Sequence, residues 1–241
     1  MMKRCLFFSN TVCRLKLAYM KSTACKLFLF LYLVFAMGLL CVVLCTEQAH
    51  LHLALTLDYL AGLNPTWVGF QDQFFKYITE LGSSVPFIIM GGLLFYKVGD
   101  ALFLLVAQLF TAAFVFPIKH LVSAPRPSLF FHTHFPDVVL HQVDGVTLHQ
   151  IYSFPSGHTA TVFSLMLGLT LLFQKKSWLS VCFFVLAVFT AYSRIYLSQH
   201  FAEDVLLGSF IGVVMTLVAY ALYQRKSYAW QEKSLLDLLK R

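Results

Sequence analysis

Charge is what this chain has least of. Only 12% of its 241 residues are Asp, Glu, Lys or Arg, against about 25% in an ordinary soluble domain. Acidic side chains are the scarcer sign, 11 against 18 Lys and Arg, and they form no cluster suited to a divalent metal. The cysteines offer no C-x-x-C or other metal spacing: Cys5, Cys13 and Cys25 fall in a basic leader, and Cys41, Cys45 and Cys182 in apolar runs. They read as structural thiols rather than a disulfide framework. No N-x-S/T sequon, internal repeat or low-complexity linker is present.

What fills the space is apolar. Hydrophobic residues make up 59% of the chain, with 25 Phe and a mean hydropathy of +0.74. A soluble protein of this length could not hide so much apolar surface, so a bilayer is the expected solvent and partner. The net charge of +7 does not point to nucleic acid, because the basic residues flank apolar segments instead of interleaving with exposed aromatics.

Six apolar segments stand out, at approximately 27–45, 84–96, 101–118, 158–173, 178–192 and 205–223. They predict an all-α, polytopic, six-helix membrane bundle, with boundaries uncertain by about 2–4 residues. Three regions follow: a basic leader over 1–26, a membrane domain over 27–223, and a tail over 224–241. Gly91 and Gly92 sit in the second segment, while Gly208 and Gly212 form a small-xxx-small pair in the last. With the N-terminus inside, all Lys and Arg face the cytoplasm except Lys76, Lys119, Arg126 and Arg194, as the positive-inside rule demands. The first run is longer than a signal-peptide h-region and LCTEQAH offers no small-residue cleavage site, so it reads as a retained anchor. Residues 46–83 are polar enough to lie outside the membrane. Phe70, Phe74, Ile78 and Leu81 keep helical spacing there, and two readings stay open: a helix lying on the outer leaflet, or a cover for the bundle. The tail, with Leu235, Leu236, Leu238 and Leu239 among charges, predicts a short amphipathic cytoplasmic helix.

Three polar stretches interrupt the apolar pattern, each at a span end expected to face outside. They are KHLVSAPRP with Lys119 and Arg126, SFPSGHTA with Ser156, Gly157 and His158, and SRIYLSQHFAED with Arg194, His200 and Asp204. Ionisable groups near membrane depth are costly, so a cluster on one side invites a functional reading. Three cations and two histidines without a metal-binding carboxylate cluster suit an anion with transferable charge. In phosphoryl transfer the work is mostly positioning and electrostatics. Arg meets phosphate oxygens in a bidentate fork and Lys acts as a point charge, and the Ser-Gly turn can aim backbone N–H groups at the same oxygens. If the chain is helical after His200, Asp204 lies on the same face and orients the imidazole. His200 is then the better nucleophile and His158 the better general acid.

The three stretches resemble the tripartite signature of the type 2 phosphatidic acid phosphatase family, shared with vanadium haloperoxidases: K-x6-RP, PSGH and SR-x5-H-x3-D. Lys119, Arg126 and Pro127, then Pro155 to His158, then Ser193, Arg194, His200 and Asp204 match every defining position. The resemblance implies a metal-independent phosphatase without a cofactor. It further implies that His200 is phosphorylated, His158 acts as the acid, and water releases phosphate. The site would lie at the periplasmic end of a multi-pass protein of a bacterial inner membrane. Expected substrates are lipid phosphates: lipid A phosphates, undecaprenyl diphosphate, phosphatidylglycerophosphate or phosphatidic acid, with a lean towards the first two. Selectivity is expected from the loop Ser128 to Phe154, whose His132, His134, His141 and His149 fit no common metal spacing. Two alternatives stay open: a phosphatase for a soluble sugar phosphate, and a non-catalytic membrane protein with a phosphate pocket.

Overall fold

The computed structural model describes residues 22–225 and 229–240. Among these the regular elements are all helical, and one isolated bridge joins Pro125 to Ile151. Most of the expected leader, with Cys5 and Cys13, lies outside the described residues, as do Lys226 and Arg241.

Ser22 opens α1 (Thr23–Cys45) by accepting the Cys25 N–H at 3.2 Å, so the first helix starts inside the stretch expected to be leader. Its 23 residues reach roughly 35 Å at 1.5 Å per residue, enough for a ~30 Å hydrocarbon core. Phe30, Leu33, Val34 and Met37 are exposed, whereas Phe28 and Tyr32 turn inward onto Phe184 and Phe163. Two short helices, α2 (Gln48–Leu55) and α3 (Leu57–Leu60), lead to α4 (Pro65–Ile78). That helix is capped by the Asn64 side chain, with Pro65 in its first turn, where no N–H is needed. A 3-10 turn over Thr79–Gly82 follows, and α5 (Val85–Tyr96) departs from it at a bend of 51°.

The remaining helices are α6 (Val98–Val122), α7 (Pro127–His134), α8 (Gly157–Leu172), α9 (Ser177–Tyr196), α10 (Ala202–Tyr223) and α11 (Leu235–Leu239). Each of the six apolar segments falls on a helix. Four helices, α1, α6, α9 and α10, are long and apolar enough to cross a membrane, and the bent pair ending in α5 makes a fifth if it is one span. The fourth segment is the exception. At 16 residues α8 is shorter, and nearly every residue from Thr159 to Leu171 is buried. It is the central helix, packed on by α1, α6, α9 and α10, and a helix sheathed in protein needs no full bilayer length.

The glycine pair of α10 has a job and that of α5 does not. A Cβ on Gly208 would stand 2.5 Å from the Ser156 carbonyl oxygen, and one on Gly212 2.3 Å from that of Ala160. Only glycine allows this approach of α10 to α8. At Gly91 and Gly92 a Cβ would meet nothing. The tail is not one amphipathic helix: a 3-10 turn, Ala229–Glu232, and α11 fold back on the α5–α6 junction. There Lys97 pairs with Glu232 at 2.8 Å, and the Val98 N–H donates to the Lys233 carbonyl at 3.0 Å.

Candidate active site

The predicted residues stand at or beside the ends of five helices. Lys119 is in the last turn of α6, Arg126 is the cap of α7, Ser156 is the cap of α8, and Arg194 is in the last turn of α9. His200 lies in the turn between α9 and α10, and Asp204 is in the first turn of α10. These ends converge. His158 is within electrostatic reach of His200, Arg194, Lys119 and Arg126, and His158, Arg126 and Arg194 line one cavity of 330 Å³.

The turn bearing His200 is not helical, contrary to the condition under which Asp204 was expected to reach it. α10 begins only at Ala202, because the Asp204 carboxylate reaches back to its cap: Oδ2 accepts the Phe201 N–H at 2.9 Å. The same oxygen lies 3.3 Å from His200 Nδ1 and accepts the Ser153 hydroxyl at 2.5 Å. With Nδ1–H facing the carboxylate, Nε2 keeps its lone pair. Burial, then Arg194, Arg126 and Lys119, hold the His200 imidazole well below its ordinary pKa, so the ring is neutral at neutral pH.

Ser156 is fully buried and occupied. Its hydroxyl caps Thr159, and its N–H donates to the Asp204 carbonyl at 2.9 Å.

The cations are held by neutral partners. Arg126 donates through Nε to the Ile151 carbonyl at 3.0 Å and through Nη1 to the Gln199 side chain at 2.9 Å. Gln199 is braced in turn by the Thr147 carbonyl at 2.9 Å. Arg194 donates Nη1 to Thr79 Oγ1 at 2.8 Å, while its Nε is buried without a partner. Among the described residues no carboxylate comes within ion-pair distance of Lys119, Arg126 or Arg194. Buried donors are normally satisfied. A cavity lined by Lys76, Arg126 and Arg194 against the one carboxylate of Glu80, with an orphan N–H on Arg194, is therefore suited to an anion.

Sequence reading missed four contributors. Ser153, Gln199 and Thr79 hold Asp204, Arg126 and Arg194; the first two lie within the motif stretches, and Thr79, 40 positions before the first motif, carries no signal at all. The fourth is Lys76, which the charge count had set apart and which lines the same cavity. Of the four loop histidines only His149 lines it. His141 instead meets Asp72 at 2.7 Å, and His134 meets the Phe130 carbonyl. No metal-ligand group of His, Cys, Asp or Glu forms among the described residues. A larger cavity of 590 Å³ lies at the opposite end, between Lys97 and Tyr220. Lys97 is paired there with Glu232 and Asp100 accepts from Tyr223, and the cavity holds none of the predicted residues.

Comparison with known proteins agrees with this geometry. A family model described as the PAP2 superfamily matches residues 100–228, more than half of the chain. A lipid A 4′-phosphatase of Porphyromonas gingivalis is 30% identical over 167 residues, which are 66% of this chain and 69% of that protein. A lipid A 1-phosphatase of the same organism is 41% identical over 69 residues, and the match spans only 16% of its length. The crystal structure of Aquifex aeolicus LpxE superposes with a TM-score of 0.57 at 25% identity, covering 72% of this chain and 94% of that one. With its buried cation cavity, its long apolar helices and these relatives, the chain belongs to the PAP2 superfamily and is a multi-pass membrane protein.

Proposed function

We propose that the chain is a lipid phosphatase working through a phosphohistidine. The observation that carries this is the 330 Å³ cavity in which Lys76, Arg126, Arg194 and His158 outnumber the single carboxylate that lines it, Glu80. A phosphate seated there accepts from the Arg194 Nε–H and the first-turn N–H groups of α8, with Lys119 and Arg126 adding charge. His200 Nε2 attacks phosphorus, the bond from phosphorus to the lipid oxygen breaks, and protonated His158 gives its proton to that oxygen. Water then attacks the phosphohistidine, returning a proton to His158 and releasing inorganic phosphate. Asp204 holds the His200 ring throughout and stabilises the charge it acquires.

The substrate is a lipid because the helices around the site are apolar outward. Lipid A phosphates and polyprenyl diphosphates are the favoured classes, the first in keeping with the names of the relatives. The reading retains six spans, counting the sheathed α8 and the bent α5. It places the cation cavity at the periplasmic face of an inner membrane, opposite Lys97, Lys175, Lys176 and Arg225, with a leader over 1–26 and a tail over 224–241 on the cytoplasmic side.

The test is phosphate release by purified protein from a panel of lipid phosphates and water-soluble sugar phosphates. Lipids should dominate, EDTA should leave turnover intact, vanadate should inhibit, and His200→Ala should abolish turnover. Dominant sugar-phosphate hydrolysis would remove the lipid assignment, and normal turnover by the variant would remove the nucleophile.

A further inference from the structure

Lys76 belongs to none of the three motifs and precedes the stretch matched by the family model. It sits on α4, half-buried, and lines the same cavity as His158, Arg126 and Arg194. Its Nζ donates to the Asp144 carbonyl at 2.6 Å, which uses one of its three donors and leaves its charge unanswered. Glu80, one turn further on, lines the same cavity and is the obvious partner, but its carboxylate is held by two serines. Its Oε2 accepts from Ser83 and Ser84, both at 2.6 Å, and no Lys76–Glu80 ion pair forms among the described residues.

The ammonium is also held in place. Gly145, at φ +75°, makes room for it, since a Cβ there would lie 2.7 Å from Nζ. α4 is fastened through Asp72, which accepts from Tyr196 at 2.6 Å and contacts His141 at 2.7 Å. On the other side of α4, Trp67, Phe70 and Tyr77 are more than 60% exposed, as suits aromatic anchors at the level of lipid headgroups. One helix thus sets an aromatic ridge towards lipid and a fixed cation into the cavity.

From this geometry, and resting on the phosphatase reading above, we infer that Lys76 binds a second phosphate joined directly to the one attacked, so that the preferred substrate is a lipid diphosphate. Lys76, Arg126 and Arg194 open on one 330 Å³ cavity. The second anion must therefore lie beside the first, and not at the far end of a large headgroup. In the transfer step the bond from His200 Nε2 to the terminal phosphorus forms and the bridging P–O bond breaks. Its electron pair stays on the bridging oxygen, which takes the His158 proton, and the lipid monophosphate leaves against Lys76.

The experiment compares kcat/KM on a short-chain polyprenyl diphosphate and on the matching monophosphate, in the same detergent micelles. Lys76→Met should lower diphosphate turnover by about tenfold or more, the scale of one lost charge-assisted contact, with monophosphate turnover held within about twofold. Lys76→Gln, which keeps a donor for the Asp144 carbonyl but no charge, should show the same selective loss, and Lys76→Arg should retain most activity. Equal losses on both substrates at an unchanged unfolding midpoint, or full diphosphate turnover by Lys76→Met and Lys76→Gln, would overturn the inference. Folded wild-type protein inert towards both lipids would instead remove the phosphatase reading itself.

Discussion

Ser153 and Asp204 are 51 positions apart and share a 2.5 Å hydrogen bond, the serine hydroxyl donating to the carboxylate oxygen that also faces His200. This contact ties the loop before α8 to the first turn of α10. It leaves Asp204 Oδ2 fully engaged, by Ser153, His200 and the Phe201 N–H.

Replacing Ser153 by Ala removes one donor from a buried carboxylate, at a cost of roughly 1–3 kcal/mol. The His200 ring then loses part of its brace. Turnover should fall by about tenfold with KM little changed, and Ser153→Thr should recover much of it. Steady-state kinetics on a lipid phosphate decides this; an unaltered kcat in Ser153→Ala would show the brace to be idle.

Two buried histidines set the response to acid. Burial lowers the His52 pKa to about 4, with both ring nitrogens unpartnered between Phe131 and Phe201, and His200 is held well below its ordinary value. An unfolded chain protonates both rings as pH drops through 6.5, the ordinary value, while the folded chain does not. His52 therefore costs nothing above pH 6.5 and lowers stability between 6.5 and about 4, by about 1.4 kcal/mol per unit. Unfolding midpoints measured across that range should decline with acid, and His52→Phe should flatten the slope. A slope unchanged in His52→Phe would refute the assignment.

Backbone crowding gives a third prediction. Gly212→Ala drives a methyl group against the Ala160 carbonyl oxygen, 2.3 Å from the ideal Cβ position, and backbone cannot step aside cheaply. It should destabilise by about 1–3 kcal/mol and disturb the His158 end of α8. Gly91→Ala, with open space around its Cβ, should leave the midpoint within about 0.5 kcal/mol. Thermal unfolding of the two variants in the same detergent separates them.

Much of this molecule is legible along the chain. Apolar runs large enough to need a bilayer, cations stationed at their ends and histidines at motif spacing are local properties. They announced α1, α6, α9 and α10, and marked Lys119, Arg126, His158, Arg194 and His200 as one group. Span length misled at α8, where the solvent is protein and a short helix suffices, and at α5, whose 12 residues reach span length only with the bent helix before it. What a linear reading could not reach is who holds whom. Thr79 on Arg194, Gln199 on Arg126, Ser153 on Asp204 and Lys76 in one cavity with His158 depend on a 51° bend after α4 and on two glycines that let α10 close on α8. Hydrophobicity decides which segments enter the membrane, but a hydrogen bond acts over about 3 Å, and only the packed bundle brings residues 50 to 115 positions apart within that distance.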